Sequence, residues 1–310
     1  MVRRGHRSAQ DRLALMGLFD KFRSLVAGKP RLDVESRFER LRSSVTGTMS
    51  NFQVVRDRQL DRIVGLKLCD KEKVDAFENR FKGLNKPSEG EIAIQMRHPR
   101  IVETYEYGLT TKGQPYLIME YIEGPGLQLL LQNRDELSLH GRRLLFIRQM
   151  AEAIQYVHDQ GFIHRDICPR NFICLKDLSG VKLIDFGLTV PATPPFMQPG
   201  NRTGTPLYMS PEVVRRRPTD QRLDVFSFGV TCYLLCTFEF PWPVAETSGM
   251  AALRHDSAPP RPINHYNPDI HPVLGDAIMK CLAADAALRM PSMEAFLRQI
   301  RHVPHETVES

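Results

Sequence analysis

The octapeptide His164-Arg165-Asp166-Ile167-Cys168-Pro169-Arg170-Asn171 constrains this 310-residue chain most, because Asp185-Phe186-Gly187 begins fourteen positions after Asn171. Asp166 offers a carboxylate that could take up a proton. Asn171 and Asp185 offer an amide oxygen and a second carboxylate, the hard donors that a small cation prefers. The apolar run Val181-Lys182-Leu183-Ile184 reads as a strand that delivers Asp185. A fold that uses all three groups must bring the two segments together.

The bulk numbers set the frame. The length allows one large domain or two lobes with real cores. Hydrophobic content of 42% and charged content of 25% are those of a globular protein rather than a disordered one. A net charge of +6 suits an anionic ligand such as a nucleotide. No aromatic-basic interleaving or reader motif points to nucleic acid. Six cysteines at 69, 168, 174, 232, 236 and 281 contain no C-x-x-C pair and read as reduced, buried thiols, which predicts a cytoplasmic protein. The longest apolar stretch, Val225 to Phe238, carries Ser227, Gly229 and Thr231 and is too short to span a bilayer, so it reads as a core helix. The basic start is followed by no apolar segment of signal-peptide type.

Residues 1–36 stand apart. Leu15, Phe19, Phe22 and Val26 share a helical face with Arg12, Lys21 and Arg23 among them, and Gly28-Lys29-Pro30 ends the pattern. Two readings stay open for residues 11–27: a peripheral membrane or docking helix, and a tail or a helix packed on the body. From 37 to 119 the pattern is strand-rich. Strands are expected at Phe52–Val55, Ile63–Leu68, 101–107 and Pro115–Met119, with helix between about 72 and 97 broken near Asn85-Lys86-Pro87. Beyond Gly124-Pro125-Gly126 the chain turns helical. Leu144, Ile147, Ala151, Ile154 and Val157 mark one amphipathic helix that Gly161 terminates. Strands followed by helices predict an α+β fold with a small strand-rich lobe, a larger helical lobe and a cleft between them.

With these flanks, the two motifs resemble the catalytic core of the eukaryotic-type (Hanks-type) serine/threonine protein kinases, in a bacterial-looking form. The resemblance covers roughly residues 37–301. It implies an N-lobe at 37–119, a hinge at 120–123, a C-lobe at 124–301 and a short tail at 302–310. It further implies MgATP as cofactor, with manganese as the alternative ion, and signalling through protein substrates bearing serine or threonine acceptors.

Residue by residue, Asp166 falls on the family's catalytic base, and Asn171 and Asp185 fall on its metal ligands. Lys67, in Val64-Gly65-Leu66-Lys67, matches the phosphate-binding lysine. Its helix partner is Glu89, with Glu91 as runner-up, because Gly90 could interrupt the helix. Met119-Glu120-Tyr121-Ile122 matches the hinge, where backbone groups of Glu120 and Ile122 would bind the adenine edge and Met119 would close the pocket. Ile173 would form the floor. Gly204-Thr205-Pro206-Leu207-Tyr208-Met209-Ser210-Pro211-Glu212 resembles the end of an activation segment. Thr189, Thr193, Thr203 and Thr205 are its hydroxyls, with Thr203 the expected phosphosite and Thr205 expected near Asp166. Glu212 should pair with Arg289, and Asp224 should anchor the catalytic loop.

Two departures qualify the match. Aligned on Lys67, the glycine-rich loop falls at Val45, Gly47 and Ser50, so one glycine of three survives. Phe52, a candidate nucleotide-binding residue, stands where the family carries a smaller valine that covers adenine, and Gly65 stands where it carries an alanine. The usual lysine two residues after the catalytic Asp is Cys168, and Arg170 is expected to supply the missing charge. Cys168 is then either a reactive thiol beside cations or an inert small residue. The reading is an active kinase with Asp166, Lys67 and Arg170 as its catalytic groups. The alternative is a pseudokinase acting as a nucleotide-sensing or scaffolding module.

Overall fold

The computed structural model describes residues 31–41, 45–46, 50–200, 202–243, 254–255 and 257–307. The helix expected at 11–27 and the surviving Gly47 lie outside them. The described chain forms two compact units. One comprises the residues up to Gln95 with Glu103–Tyr121; the other comprises Met96–Val102 with Ile122 onward.

The first unit contains a short helix α1 (Val34–Arg37), strands β1 (Phe38–Arg40), β2 (Val45–Thr46), β3 (Ser50–Asp57) and β4 (Arg62–Cys69), helices α2 (Lys71–Glu78) and α3 (Glu89–Ala93), and strands β5 (Thr104–Leu109) and β6 (Pro115–Met119). The six strands make one antiparallel sheet in the order β1-β3-β4-β6-β5, with β2 also on β3. Side chains alternate across a strand. Val55, Val64, Leu66, Tyr116 and Ile118 therefore share one face and pack with Leu32 and Phe38 into a core. Phe52, Gly65, Lys67, Leu117 and Met119 fall on the opposite face, as the register pairs Phe52 with Lys67, Lys67 with Leu117 and Gly65 with Met119 show. Arg37 ties the sheet edge together. Its guanidinium donates to Asp57 at 2.8 Å and Glu106 at 2.9 Å, and the Tyr116 hydroxyl donates to Glu106 at 2.6 Å.

The strand expected at 101–107 begins later, at Thr104. The reason is a competing partner: Ile101 bridges Leu183, and Val102 N–H donates to Leu183 O at 2.9 Å, so these residues belong to the second unit.

The second unit is mostly helical: α4 (Leu127–Gln132), α5 (Glu136–Leu139), α6 (Arg143–Asp159), α7 (Pro211–Val214), α8 (Arg222–Thr237), α9 (Pro272–Cys281) and α10 (Met293–Gln299). Two small ribbons interrupt them: β7 (Phe162–Ile163) with β10 (Val190–Pro191), and β8 (Phe172–Cys174) with β9 (Val181–Leu183). Helix α6 buries the expected stripe of Leu144, Ile147, Ala151, Ile154 and Val157, and Gly161 follows it at φ 83°. A left-handed residue of this kind suits glycine. Helix α8 is buried almost all round, which explains why its apolar run looked continuous in the sequence. Among the described residues, no helix is long and apolar enough to cross a membrane.

Candidate active site

In the first unit, β4 presents Lys67 from the sheet face opposite the core. Its ammonium lies 2.5 Å from Glu89 Oε1, with both side chains largely buried. The expected interruption at Gly90 does not occur, since Gly90 lies inside α3. The ring of Tyr107 on β5 packs against it so closely that a Cβ there would stand 2.4 Å from Cδ2. Glycine thus lets a five-residue helix approach the sheet and aim Glu89. Glu91, the runner-up, serves the helix start instead: its carboxylate accepts from Ser88 N–H at 2.7 Å, while Ser88 Oγ accepts from Glu91 N–H. Cys69 Sγ stands 3.8 Å from Glu89 Oε2, which puts the carboxylate on the Cys69 side of Lys67.

The glycine loop is partly visible. Val45 pairs with Phe52 through the backbone. The two size exchanges at Phe52 and Gly65 meet in space. A Cβ on Gly65 would lie 2.7 Å from Phe52 Cε2, 2.8 Å from Cζ and 3.2 Å from Met119 Cγ. The aromatic ring fills the volume that a methyl at position 65 would need. At the end of β6, Glu120 N–H donates to Glu103 O at 2.8 Å, which takes that donor out of the expected contact with a base. The boundary between the units falls after Tyr121, and Ile122 is buried in the second unit.

In the second unit, the loop after β7 is held from beneath by one carboxylate. Asp224 of α8 is fully buried and accepts from His164 N–H and Arg165 N–H, each at 2.8 Å, and meets His158 Nε2 at 2.9 Å. Burial alone would push its carboxyl up. The His158 hydrogen bond and the His164 amide outweigh that and hold it below the ordinary Asp value. His158 was not singled out from the sequence, because a histidine near the end of an amphipathic helix carries no distinctive spacing. His164 packs edge-on against Phe186 at 5.4 Å and accepts from Asp166 N–H at 3.3 Å, a local structural role.

Asp166 sits at the centre of a hydrogen-bonded cluster. Asn171 Nδ2 donates to its Oδ2 at 3.0 Å and to its backbone oxygen at 2.6 Å. Thr205 donates twice to Oδ1, from N–H at 3.0 Å and from Oγ1 at 2.7 Å. Arg170 Nη2 donates to the same Thr205 hydroxyl oxygen at 2.7 Å and stands 3.9 Å from Asp166 Oδ2. Gly204 makes this approach feasible. Its φ is 131°, and a Cβ there would lie 2.9 Å from Arg165 O.

The β8–β9 ribbon supplies the metal-binding candidates. Phe172 pairs with Leu183, and Ile184 N–H donates to Asn171 O at 2.8 Å, so the ribbon brings the flanks of Asn171 and Asp185 together. The Asn171 amide nitrogen is committed to Asp166, which leaves Oδ1 as its ligand atom. Asp185 adopts φ 68° and accepts from Gly187 N–H at 2.9 Å. Two oxygen donors on a hairpin fit a hard divalent cation that takes its remaining ligands from phosphate and water. Ile173 lies two residues beyond Asn171 on β8, half-buried and paired with Lys182.

Two readings change, at Cys168 and Thr189, and one holds, with Thr205 lying against Asp166 as expected. Cys168 is fully buried, and its thiol is pushed up to about 11 by burial and then by the Asp166 charge, so the reactive-thiolate reading fails. Thr189 is also fully buried, its hydroxyl 3.5 Å from His164 O, which removes it from the accessible hydroxyls of the segment. Thr205 is engaged by Asp166 and Arg170, leaving Thr193 exposed and Thr203 half-buried. Further down, Arg289 clasps Glu212 with two bonds of 2.7 and 3.0 Å, as expected.

Residues 40–300 match the protein kinase domain family, and the chain belongs to it. Its relatives include the serine/threonine-protein kinase pkn3 of Myxococcus xanthus, 29% identical over 84% of this chain and 48% of that protein. They also include serine/threonine-protein kinase PknB of Mycolicibacterium smegmatis, at 31% identity over 76% of this chain and 38% of that protein. A third is serine/threonine-protein kinase PrkC of Bacillus subtilis, at 28% over 84% and 39%. The chain thus spans less than half the length of each of these relatives.

Proposed function

We propose that this chain transfers the γ-phosphoryl group of ATP to serine or threonine hydroxyls of protein substrates. The observation that carries the reading is the cluster at Asp166. Its carboxylate is fixed by Asn171 and Thr205 donors, with a cation 3.9 Å away. A carboxylate so held orients an acceptor hydroxyl and takes its proton late in the transfer. Asn171 and Asp185 would hold magnesium, which supplies charge neutralisation at the β- and γ-phosphates. Lys67, steadied by Glu89, contacts the α- and β-phosphates. Glu120 and Ile122 remain the backbone contacts to the base, Glu120 through its carbonyl. Met119 and Ile173 line its apolar sides, and Val45 and Gly47 belong to the phosphate loop.

Arg170 takes the role that Cys168 cannot, since a neutral buried thiol offers the phosphate no charge. The guanidinium reaches the Asp166 carboxylate region through Thr205, from a position two residues further along the loop than the customary lysine. Thr203 remains our assignment for autophosphorylation. Six buried cysteine thiols support a reducing compartment, the cytoplasm.

The experiment is incubation of the chain with magnesium, radiolabelled ATP and a generic basic protein, followed by mapping of the phosphosites. Label on serine or threonine that disappears in Asp185→Ala is the expected result. Equal label in both proteins, or none in either, rejects the proposal and leaves the binding-module reading. Substituting manganese in the same assay ranks the two ions.

A further inference from the structure

In the second unit, the ends of α9 and α10 and the loop between these helices enclose a cavity of about 340 Å³. Its walls are largely apolar, with Leu288, Met290, Pro291 and Ala295 among the lining residues. Met290 N–H donates to the Lys280 carbonyl at 3.2 Å, which pins the loop to the end of α9. Arg289 also lines the cavity, but its charge is already matched: it clasps Glu212 and donates to the backbone oxygens of Arg222, Ala283 and Ala284. Leu288 is 77% exposed, so the loop holds a large apolar side chain in water beside this cavity.

The charged part of the lining has one sign. Lys280 and Arg298 are exposed, and none of the residues that line the cavity is acidic. Each of these cations lies in the last turn of its helix. The helix ends offset about half a charge apiece, which leaves a net positive rim. Lys280 Nζ donates to Gln299 Oε1 at 3.4 Å, a long bond to a neutral group that a carboxylate would replace with a shorter and stronger one. The volume is at the low end for ligand pockets, which run from about 300 to 1,000 Å³, and suits one or two apolar side chains. No aromatic residue lines it, so a nucleobase finds no stacking surface. We infer that this cavity is a docking site for a protein partner, filled by a short segment in which an apolar residue is flanked by Asp or Glu. The apolar side chain enters the cavity and covers Leu288, while the flanking carboxylates meet Lys280 and Arg298. The site shares no residue with the Lys67 pair or the Asp166 cluster, so docking there is separate from phosphoryl transfer.

The test is fluorescence anisotropy of the full chain with short labelled peptides, each carrying one Leu, Ile, Met or Phe among Asp and Glu. A matched set has Lys in place of the acids. The expected result is binding of the acidic set alone. Replacing the apolar residue of the tightest peptide by Ala should weaken it about tenfold, the scale of one buried aliphatic side chain. K280E/R298E should weaken it about tenfold or more, because two attractions become repulsions. Salt at about 0.5 M should weaken it on the unaltered chain. L288A should weaken it several-fold. Should K280E/R298E not melt cooperatively, K280A and R298A taken singly are expected to show partial losses. The inference is overturned by acidic peptides that bind no better than their lysine counterparts, or by binding that the Lys280 and Arg298 variants leave unmoved. It is also overturned if labelled oligothymidylate or phosphatidylserine vesicles bind as tightly as the tightest peptide and are lost in the same variants.

Discussion

Asp224 illustrates how much one residue can hold. Its buried carboxylate receives two backbone amides and a histidine, so removing it strands three buried donors. Asp224→Ala should cost about 3 kcal/mol or more, read from the midpoint of urea unfolding, and should depress turnover through the loop. The pH dependence has a defined sign. Because the folded carboxyl lies below its ordinary value of 3.8, the stabilisation is complete above that value and drains away as pH falls below it. Asp224→Asn should flatten that acid limb in thermal melts taken between pH 5 and 2. Cys168 gives a second expectation at this scale. With its thiol held near 11, iodoacetamide at pH 8 should label it only after denaturation, as peptide mass mapping would report. Arg170→Ala should lower turnover about tenfold or more at saturating ATP, the scale set for one electrostatic donor. Unchanged turnover would leave Arg170 no catalytic part.

Among the elements, α3 is the most delicate. It has five residues, a capping box at its start and a glycine against the Tyr107 ring. Gly90→Ala should push the helix off the sheet and loosen the Lys67–Glu89 pair, lowering kcat/KM about tenfold. Tyr107→Ala added to it should recover part of the loss by making room, a comparison that steady-state kinetics would settle. The element scale also shows where the sequence was readable. Period-2 and period-3.6 patterns carry through wherever one face is buried, as in β3, β4 and α6. The motif residues Asp166, Asn171, Asp185 and Lys67 were visible because their chemistry sits at characteristic spacing. The Gly90–Tyr107 and Gly65–Phe52 contacts were not. Each depends on a ring meeting a bare α-carbon across strands, and a glycine read alone suggests only a break. The late start of β5 was hidden for the same reason: Ile101 and Val102 have strand-like side chains but find their partner at Leu183.

At the scale of the molecule, the described fold of the second unit continues to residue 307, beyond the family match that ends at 300. Arg148 donates to Ile300 O at 3.0 Å and Val303 O at 2.7 Å, and Ile270 bridges Thr307. Glu306 accepts from Gly141 N–H at 2.8 Å and Leu144 N–H at 3.3 Å, while Arg143 lies 3.6 Å from it. The start of α6 has no side-chain cap of its own, and Glu306 provides one. Glu306→Ala should therefore lower the melting temperature by several degrees, on the order of 1–2 kcal/mol for a lost cap. Calorimetry would measure it, and an unaltered melt would reduce this residue to a bystander.

The same Glu306 carries a kinetic consequence for the newborn protein. Gly141 leaves the ribosome 165 residues before the carboxylate that will seat it. At about 5–20 residues per second, the nascent chain waits roughly ten to thirty seconds with its longest amphipathic segment unfastened. During that interval its apolar stripe is available to chaperones, and closure of the helical unit waits until residue 306 has been made.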